Sequence, residues 1–226
     1  MSDDCDLSSD PLAQRVAVRD GYDDPELAEA YRQQRETHDV AVASHVDDLV
    51  AALDAGDRVV DVGCGQGVPV LNRLPSEVEG VGVDLSATML ETARERTDAA
   101  LVRGDMTRLP VADATAAAVT AVTSTIHVPV AEHPTVYAEF ARVLAPGGRL
   151  LLTAATGEEG WAGVNPDWLG SGGTMAWSFP GVDQTREHLR AAGFRVTAEH
   201  HLDETVSDDD SDGGSWALIV AELSEE

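Results

Sequence analysis

One segment of the chain combines a buried-strand pattern, regularly spaced glycines and an acid. It reads Val59-Val60-Asp61-Val62-Gly63-Cys64-Gly65-Gln66-Gly67. Glycines at every second position let the backbone turn and approach a ligand closely. Their G-x-G-x-G spacing differs from the G-x-G-x-x-G of dinucleotide enzymes, and the carboxylate of Asp61 would repel a pyrophosphate. The segment therefore predicts a site for a cationic or zwitterionic small molecule.

Two further acids stand where the next two predicted strands end. Asp84 closes Val81-Gly82-Val83-Asp84, about twenty residues beyond the glycines, where a carboxylate accepts from both hydroxyls of a ribose. Asp105 follows Val102-Arg103-Gly104 and can accept from an adenine amino group, with Met106 packing on the ring. Any one of these acids alone would be interpreted as a cap or turn residue. At three successive strand ends, together with the glycines, they indicate one nucleoside-binding site.

The elements that must position these residues alternate between apolar runs and helical patterns. Such alternation is typical of a parallel sheet with helices on both faces. A helix is also expected over 24–53, where Asp24 and Pro25 form a start signal, and the first helix after the glycines should offer free N–H groups to the ligand. We predict strands at 58–62, 80–84, 99–103, 117–123, 149–154, 194–200 and 215–222, and further helices at 68–73, 88–96, 134–144 and 183–192.

The charge of the chain is extreme and one-sided. Its 226 residues include 41 Asp and Glu against 15 basic residues, all of them Arg, for a net charge of −26. This balance argues against a protein that grips bare nucleic acid or anionic lipid. Abundant carboxylates without lysine favour a protein that works in concentrated salt, where self-repulsion is screened. With two cysteines, no apolar leader and no membrane-length apolar run, we expect a cytoplasmic protein.

Taken together, these motifs resemble the class I S-adenosylmethionine-dependent methyltransferases of the small-molecule type. The resemblance is carried by VVDVGCGQG, GVDLSATML, ALVRGDMTRLP, AVTSTIHVP and EFARVLAPGGRLLLT, in that order over residues 58–154. It implies an α/β, Rossmann-like, seven-stranded and mostly parallel sheet with a C-terminal antiparallel hairpin. It also implies S-adenosyl-L-methionine as the cofactor and a small-molecule methyl acceptor.

The resemblance further implies roles for individual positions. Asp61, Gly63, Gly65 and Gly67 would line the methionine part of the cofactor. Asp84 would hold the ribose, with Leu85 beside the adenine. The remaining cofactor residues are Asp105 and Met106, which would flank the adenine, and Thr123 and Ser124, which would face the methionine end.

Methyl transfer from a sulfonium is an in-line displacement that depends on positioning, and a base is needed only when the nucleophile carries a proton. His127, just past the fourth predicted strand, is the best-placed catalytic candidate. It can equally serve to orient a loop or to shape the pocket. A covalent cysteine mechanism is excluded, because Cys64 lies in the glycine turn and Cys5 in the N-terminal tail.

Candidate substrate residues lie in two regions outside the core motifs. Trp161, Trp168 and Trp177 concentrate in one stretch of a chain with 4% aromatic residues, and predict either a substrate lid or a satellite core beneath a long loop. Tyr31 and Arg35 share one face of the N-terminal helical region, where Arg35 would either bind a substrate carboxylate or form a surface ion pair.

We therefore predict a single methyltransferase domain over residues 1–226. Its parts are an acidic tail (1–11), an N-terminal helical lid (12–56), the cofactor-binding core (57–156), a Trp-rich substrate loop (157–182) and a C-terminal helix and hairpin (183–226). A solvated loop is expected over 203–214, and no histidine or cysteine spacing indicates a metal. Alternatives left open are a methyltransferase acting on tRNA or protein, an inactive S-adenosylmethionine-binding protein and a nicotinamide-dependent oxidoreductase.

Overall fold

A computed structural model describes residues 10–38, 40–202 and 216–225 of the chain. The helices in these ranges are α1 (Pro11–Asp23), α2 (Pro25–His38), α3 (Val40–Ala51), α4 (Ala87–Ala93), α5 (His133–Val143) and α6 (Val182–Ala191). The strands are β1 (Arg58–Val62), β2 (Glu79–Asp84), β3 (Ala100–Arg103), β4 (Ala116–Ala121), β5 (Leu144–Ala155), β6 (Trp161–Trp168), β7 (Gly173–Phe179), β8 (Phe194–Leu202) and β9 (Trp216–Leu223).

Seven of the strands form one sheet in the order β3-β2-β1-β4-β5-β9-β8. The five strands β1 to β5 run parallel, and β9 is antiparallel to both of its neighbours. The chain order reverses direction between β1 and β4, and ligands bind at such a switch point in open α/β sheets. The predicted seven-stranded, mostly parallel sheet with a terminal antiparallel pair is confirmed.

Helices cover both faces of the sheet and bury its central strands. One core cluster packs α5 against the sheet around Tyr137 and Phe140, and a second packs α3 around Val46 and Leu49. Strand β1 is buried along four of its five residues, which explains why its sequence is an apolar run instead of an alternating one. The sheet therefore holds the carboxyl ends of β1, β2, β3 and β4 in one rigid row.

The helix predicted over 68–73 is wrong. Only a three-residue 3₁₀ turn, Leu71–Arg73, forms there. Pro69 lacks a backbone N–H and disfavours helical geometry at Val68, and Pro75 stops any continuation. Consequently no long helix follows the glycine loop, and the loop must bind its ligand without the helix N-terminus that the sequence suggested.

The helical N-terminal region begins slightly earlier than the predicted boundary at residue 12. Asp10 and Pro11 were assigned to the acidic tail, but the Asp10 carboxylate caps α1 by accepting from the backbone N–H of Leu12 and Ala13 at 3.0 and 3.2 Å. Asp24 caps α2 as expected, accepting from Glu26 and Leu27. The rest of the predicted tail, residues 1–9, and the predicted loop over 203–214 lie outside the described residues.

The Trp-rich segment is not an irregular loop. Strands β6 and β7 pair as a separate antiparallel hairpin. Burial does not alternate along β7, because the consecutive residues Met175 and Ala176 are both buried, so no two-residue period marked the strand in the sequence. This hairpin packs against α1, so that the N-terminal helices are held between the hairpin and the main sheet.

Candidate functional site

A cavity opens at the carboxyl ends of β1, β2, β3 and β4, beneath α1 and α2. It encloses about 760 Å³ of empty space, part of it open to solvent. Ten residues predicted from the sequence line it: Tyr31, Gly63, Gly65, Asp84, Leu85, Asp105, Met106, Thr123, Ser124 and His127. The cavity is thus built where strand-end residues from four parallel strands converge.

The glycine loop and Asp84 form one hydrogen-bonded unit in the cavity wall. The half-buried carboxylate of Asp84 accepts from the backbone N–H of Gly65 through Oδ2 and of Ser86 through Oδ1, both at 2.8 Å. Burial raises the pKa of Asp84, although these N–H donors oppose the effect. Gly63 has a φ of +68° and lies so close to Ser124 that an added Cβ would collide with the serine Cβ. Glycine at 63 is therefore required by both backbone conformation and space.

Asp61 lies behind this wall instead of lining the cavity. Its side chain is 3% exposed and accepts a hydrogen bond of 2.6 Å from the Thr120 hydroxyl on β4. Burial raises the pKa of Asp61 to about 7. The structure likewise turns Gly67 away from the cavity, toward Ala93 and Thr97. Neither residue lines the cavity, and their predicted place beside the methionine part of the cofactor stays a prediction.

Asp105 is held at the far end of the cavity by a short turn and a helix. Its Oδ1 accepts from both the backbone N–H and the hydroxyl of Thr107, at 2.8 and 2.7 Å. Its Oδ2 lies 3.5 Å from the guanidinium of Arg15 on α1. Arg15 also lines the cavity and lies 3.1 Å from Glu132, so one arginine joins the N-terminal helix to the predicted adenine end.

His127 is buried in the cavity wall with both ring nitrogens engaged. Its Nδ1 lies 3.0 Å from the carbonyl of Ala176, which can only accept, so the proton is on Nδ1. Its Nε2 is therefore the acceptor for the Tyr22 hydroxyl at 2.9 Å. Burial lowers the pKa of His127 to about 4 and raises that of Tyr22 well above its ordinary value. The imidazole is thus neutral at physiological pH and reaches the cavity through Tyr22.

The junction of α1 and α2 is fastened to the start of α4. The Asp23 carboxylate accepts from the Ser86 hydroxyl at 2.8 Å and the Ala87 backbone N–H at 2.7 Å, and pairs with Arg103 at 3.1 Å. The Ser86 oxygen also lies 2.9 Å from the backbone carbonyl of Tyr22, so its single proton is shared between this carbonyl and Asp23. These contacts place the N-terminal helices over the cavity as a cover.

The three predicted tryptophans do not line the cavity. Trp168 and Trp177 pack edge to face at 5.3 Å, and Trp168 also contacts Tyr22 and Tyr31 at 5.9 and 5.7 Å. Trp168 and Trp177 belong to the small core between the hairpin and α1. This arrangement is the satellite core that the sequence offered as the alternative to a substrate lid. Trp161 stacks on Phe179 at the outer face and is 48% exposed. Trp168, packed against Trp177, therefore supports the two tyrosines.

Arg35 and Tyr31 lie on α2 at the other end of the site. Tyr31 lines the main cavity, whereas Arg35 lines a small passage of about 330 Å³ beside Gly63, Gly65 and Thr123. Thr123 is in the left-handed region, with a φ of +49°, and its backbone N–H donates to the Thr153 hydroxyl at 2.6 Å. The glycine loop thus has the cavity on one side and an arginine on the other.

Sequence reasoning missed Arg15 and Ser86, and assigned no role to Tyr22. The clue to Tyr22 is its spacing of four from Val18 on one face of the predicted helical lid. Ser86 carries the S-x-x-M spacing of an N-cap, and its hydroxyl accepts from the Met89 N–H at 3.1 Å.

Two kinds of feature are absent from the part of the chain that the structure describes. No three His, Cys, Asp or Glu side chains converge there to hold a metal ion. None of its helices combines the length and apolar character that crossing a membrane requires.

Comparison with known proteins points to one family. Residues 59–148 match the family model described as "Methyltransferase domain". The chain is 34% identical over 155 residues to 27-O-demethylrifamycin SV methyltransferase of Amycolatopsis mediterranei, covering 63% of this chain and 55% of that protein. It is 29% identical over 207 residues to sterol 24-C-methyltransferase of Kluyveromyces lactis, covering 83% and 53%.

The chain spans about half the length of these curated relatives. Among solved structures, it is similar to magnesium protoporphyrin IX methyltransferase of Synechocystis PCC 6803 with bound S-adenosylmethionine. The TM-score is 0.68 at 19% identity, over 93% of this chain and 97% of that one. That likeness shows a shared fold.

Proposed function

The chain carries a class I S-adenosylmethionine-dependent methyltransferase domain, and from this premise we propose that it transfers a methyl group from the cofactor to a small molecule. The transfer is an in-line displacement, in which the acceptor attacks the methyl carbon and S-adenosylhomocysteine leaves. The rifamycin and sterol methyltransferases to which it is similar are named for small-molecule acceptors. A net charge of −26 also disfavours a nucleic-acid acceptor.

One observation carries the proposal: Asp84 is fixed by the N–H groups of Gly65 and Ser86 at the edge of the same cavity that Gly63 lines. We assign the Asp84 carboxylate to the ribose hydroxyls. Asp105, Met106 and Leu85 would surround the adenine, and the Gly63–Gly65 turn with Thr123 and Ser124 would meet the methionine part. Asp61 would act on the cationic end of the cofactor through its charge alone.

We propose that His127 acts as the base when the acceptor is a hydroxyl or an amine. Since its Nε2 already accepts from Tyr22, the proton of the acceptor passes to the Tyr22 oxygen while the Tyr22 proton moves to Nε2. With a pKa of about 4 the imidazole of His127 is unprotonated at neutral pH but is a weak base, so its proton transfer must accompany attack of the acceptor on the methyl carbon. Replacing His127 with Ala or Tyr22 with Phe should therefore lower kcat far more than the affinity for the cofactor. Turnover that is unchanged across pH in the His127→Ala protein would exclude this role.

The function is tested by supplying labelled S-adenosylmethionine with fractionated metabolites and, separately, with RNA and protein from the source cell, in molar salt. Label in small molecules supports the proposal, and label only in RNA or protein overturns it. Calorimetric titration of S-adenosylhomocysteine and NADH should give binding of the first alone, and Asp84→Ala should abolish it. Asp98→Ala, which removes an exposed acid on the same domain, is the matched control.

A further inference from the structure

A groove next to the cofactor site concentrates positive charge in a very acidic protein. Four arginines line it, around Val68–Asn72 of the segment after the glycine loop: Arg32, Arg35, Arg73 and Arg96. Acids outnumber arginines 41 to 15 in the whole chain, yet no Asp or Glu of the described residues lines this groove. Glu29 and Asp47 lie outside its lining and pair with Arg32 and Arg73, so the groove keeps an excess of positive charge. A concave surface of one sign focuses the field and attracts ligands of the opposite sign.

Two of these arginines are held in place by one hydrogen-bonding partner each and keep further N–H donors available. Arg73 donates through Nη1 to the Asp47 carboxylate, at 2.9 and 3.1 Å. Arg96 donates through Nη1 to Oε1 of Gln66 at 3.3 Å. In the described part of the chain, Nε and Nη2 of both arginines have no hydrogen-bonding partner. A guanidinium has five N–H donors, so each can still offer a fork of two to an anion.

Gln66 orients this arrangement from inside the protein. Its side chain is 5% exposed, and its Nε2 donates to the carbonyl of Ala28 on α2 at 3.0 Å. That bond fixes the amide so that Oε1 faces Arg96. The arginine is therefore positioned by a buried side chain, which an accidental surface charge would not require.

The groove is continuous with the cofactor site. The small passage beside the glycine loop shares Arg35, Gln66, Val68 and Pro69 with the groove. It shares Tyr31, Gly63, Gly65 and Thr123 with the main cavity. A molecule with its reactive end near the cofactor can therefore extend an anionic end to the arginines.

We propose that this groove binds a phosphate or carboxylate group of the methyl acceptor, so that the acceptor is an anionic small molecule. The inference rests on the proposed methyl transfer and adds the chemical class of its substrate. The cofactor carries a carboxylate of its own, and Arg35 is the groove arginine that also lines the passage beside Gly63 and Gly65. Arg73 and Arg96 lie beyond it, and we assign them to the acceptor.

The test titrates sodium pyrophosphate into the full chain saturated with S-adenosylhomocysteine, at one fixed salt concentration. The double variant Arg73→Gln/Arg96→Gln should weaken pyrophosphate binding at least about tenfold, since hydrogen bonds to charged groups are lost. The matched control is Arg186→Gln/Arg195→Gln, which removes the same charge from two ion-paired arginines at the other end of the sheet. It should change binding less than about threefold, because screened charges that far away act weakly.

Equal weakening in both double variants would overturn the inference, because bulk charge would then explain the binding. Absence of pyrophosphate binding to the unaltered protein would also overturn it. So would an equal loss of S-adenosylhomocysteine affinity in Arg73→Gln/Arg96→Gln, since the arginines would then serve the cofactor. If the unaltered protein binds pyrophosphate through Arg73 and Arg96 but never binds S-adenosylhomocysteine, the anion site is supported and the proposed methyl transfer fails separately.

Discussion

Replacing Asp61 with Asn should change how the stability of the cofactor-free protein depends on pH. Burial raises the pKa of this carboxyl from 3.8 to about 7, so the folded protein holds a proton that the unfolded chain releases. A group whose folded pKa is raised contributes stability below its unfolded pKa and loses it as the pH rises through the folded pKa. The gap between the two values corresponds to about 4 kcal/mol.

Asn at 61 can still accept from the Thr120 hydroxyl but cannot ionise, so it removes this pH dependence. Between pH 5 and pH 8 the unaltered protein should lose about 3 kcal/mol of unfolding free energy relative to Asp61→Asn. Urea denaturation of both proteins at a series of pH values, without cofactor, measures the difference. Any cost of burying the new amide shifts the two curves apart by a constant and leaves this slope unaffected.

The comparison of the two proteins also cancels the contribution of His127 and His133 to the pH dependence of stability, because both proteins contain them. Burial lowers the pKa of His127 and His133 to about 4, and they give stability a slope of the opposite sign, rising between pH 4 and 6.5. Asp98→Asn, an exposed position, should run parallel to the unaltered protein. Curves for Asp61→Asn that stay parallel within 1 kcal/mol, an order-of-magnitude criterion, would refute the reasoning, because Asp61 would then be ionised in the folded state at every pH tested.

Two other perturbations have definite expected outcomes. Gly63→Ala should abolish S-adenosylhomocysteine binding in calorimetry, because the new Cβ would collide with Ser124. Gly65→Ala has open space around the new Cβ and should cost only about 1 kcal/mol of backbone strain. Equal losses of binding in the two variants would contradict the geometry. Asp23→Ala removes the carboxylate that joins the α1–α2 junction to the start of α4. It should lower the unfolding free energy by about 2 kcal/mol. It should also speed amide hydrogen exchange in α1 and α2 without affecting α5. Unchanged exchange in α1 and α2 would show that Asp23 does not hold them.

The sequence predicted the parts of the fold in which local pattern and tertiary environment agree. Apolar runs mark β1, which is buried, and also β2 and β3, which are partly exposed. Asp84 and Asp105 were predicted from the positions where the runs of β2 and β3 end. The helix over 68–73 failed for a local reason, since Pro69 and Pro75 outweigh the apolar spacing between them. The Asp61 side chain could not be placed, because its depth behind the wall depends on Thr120, which is far away in the chain.

The N-terminal and hairpin parts of the site depended on packing that no local pattern reveals. Helix α1 exposes Leu12 and Val16 and buries Gln14, and the few positions that it buries contact β7, which lies over 150 residues later. Tyr22 acquires its role only through His127 and Trp168. The tryptophans were recognised as unusual, but the contacts of Trp168 with Tyr22 on α1 and Tyr31 on α2 could not be read from the sequence. The expected cytoplasmic location and high-salt habitat stay predictions.

The position of β9 in the sheet has a consequence for how the protein folds. This strand, close to the last described residue, is inserted between β5 and β8, pairing with both along most of its length. A chain emerging from the ribosome has already completed the cofactor-binding strands while β5 and β8 still present unpaired edges. Contacts that span so much sequence form late and slowly. Strands β1 to β4, which line the cofactor site, are therefore complete first. Until β9 pairs with β5 and β8, the nascent protein exposes unpaired strand edges and is most prone to aggregation.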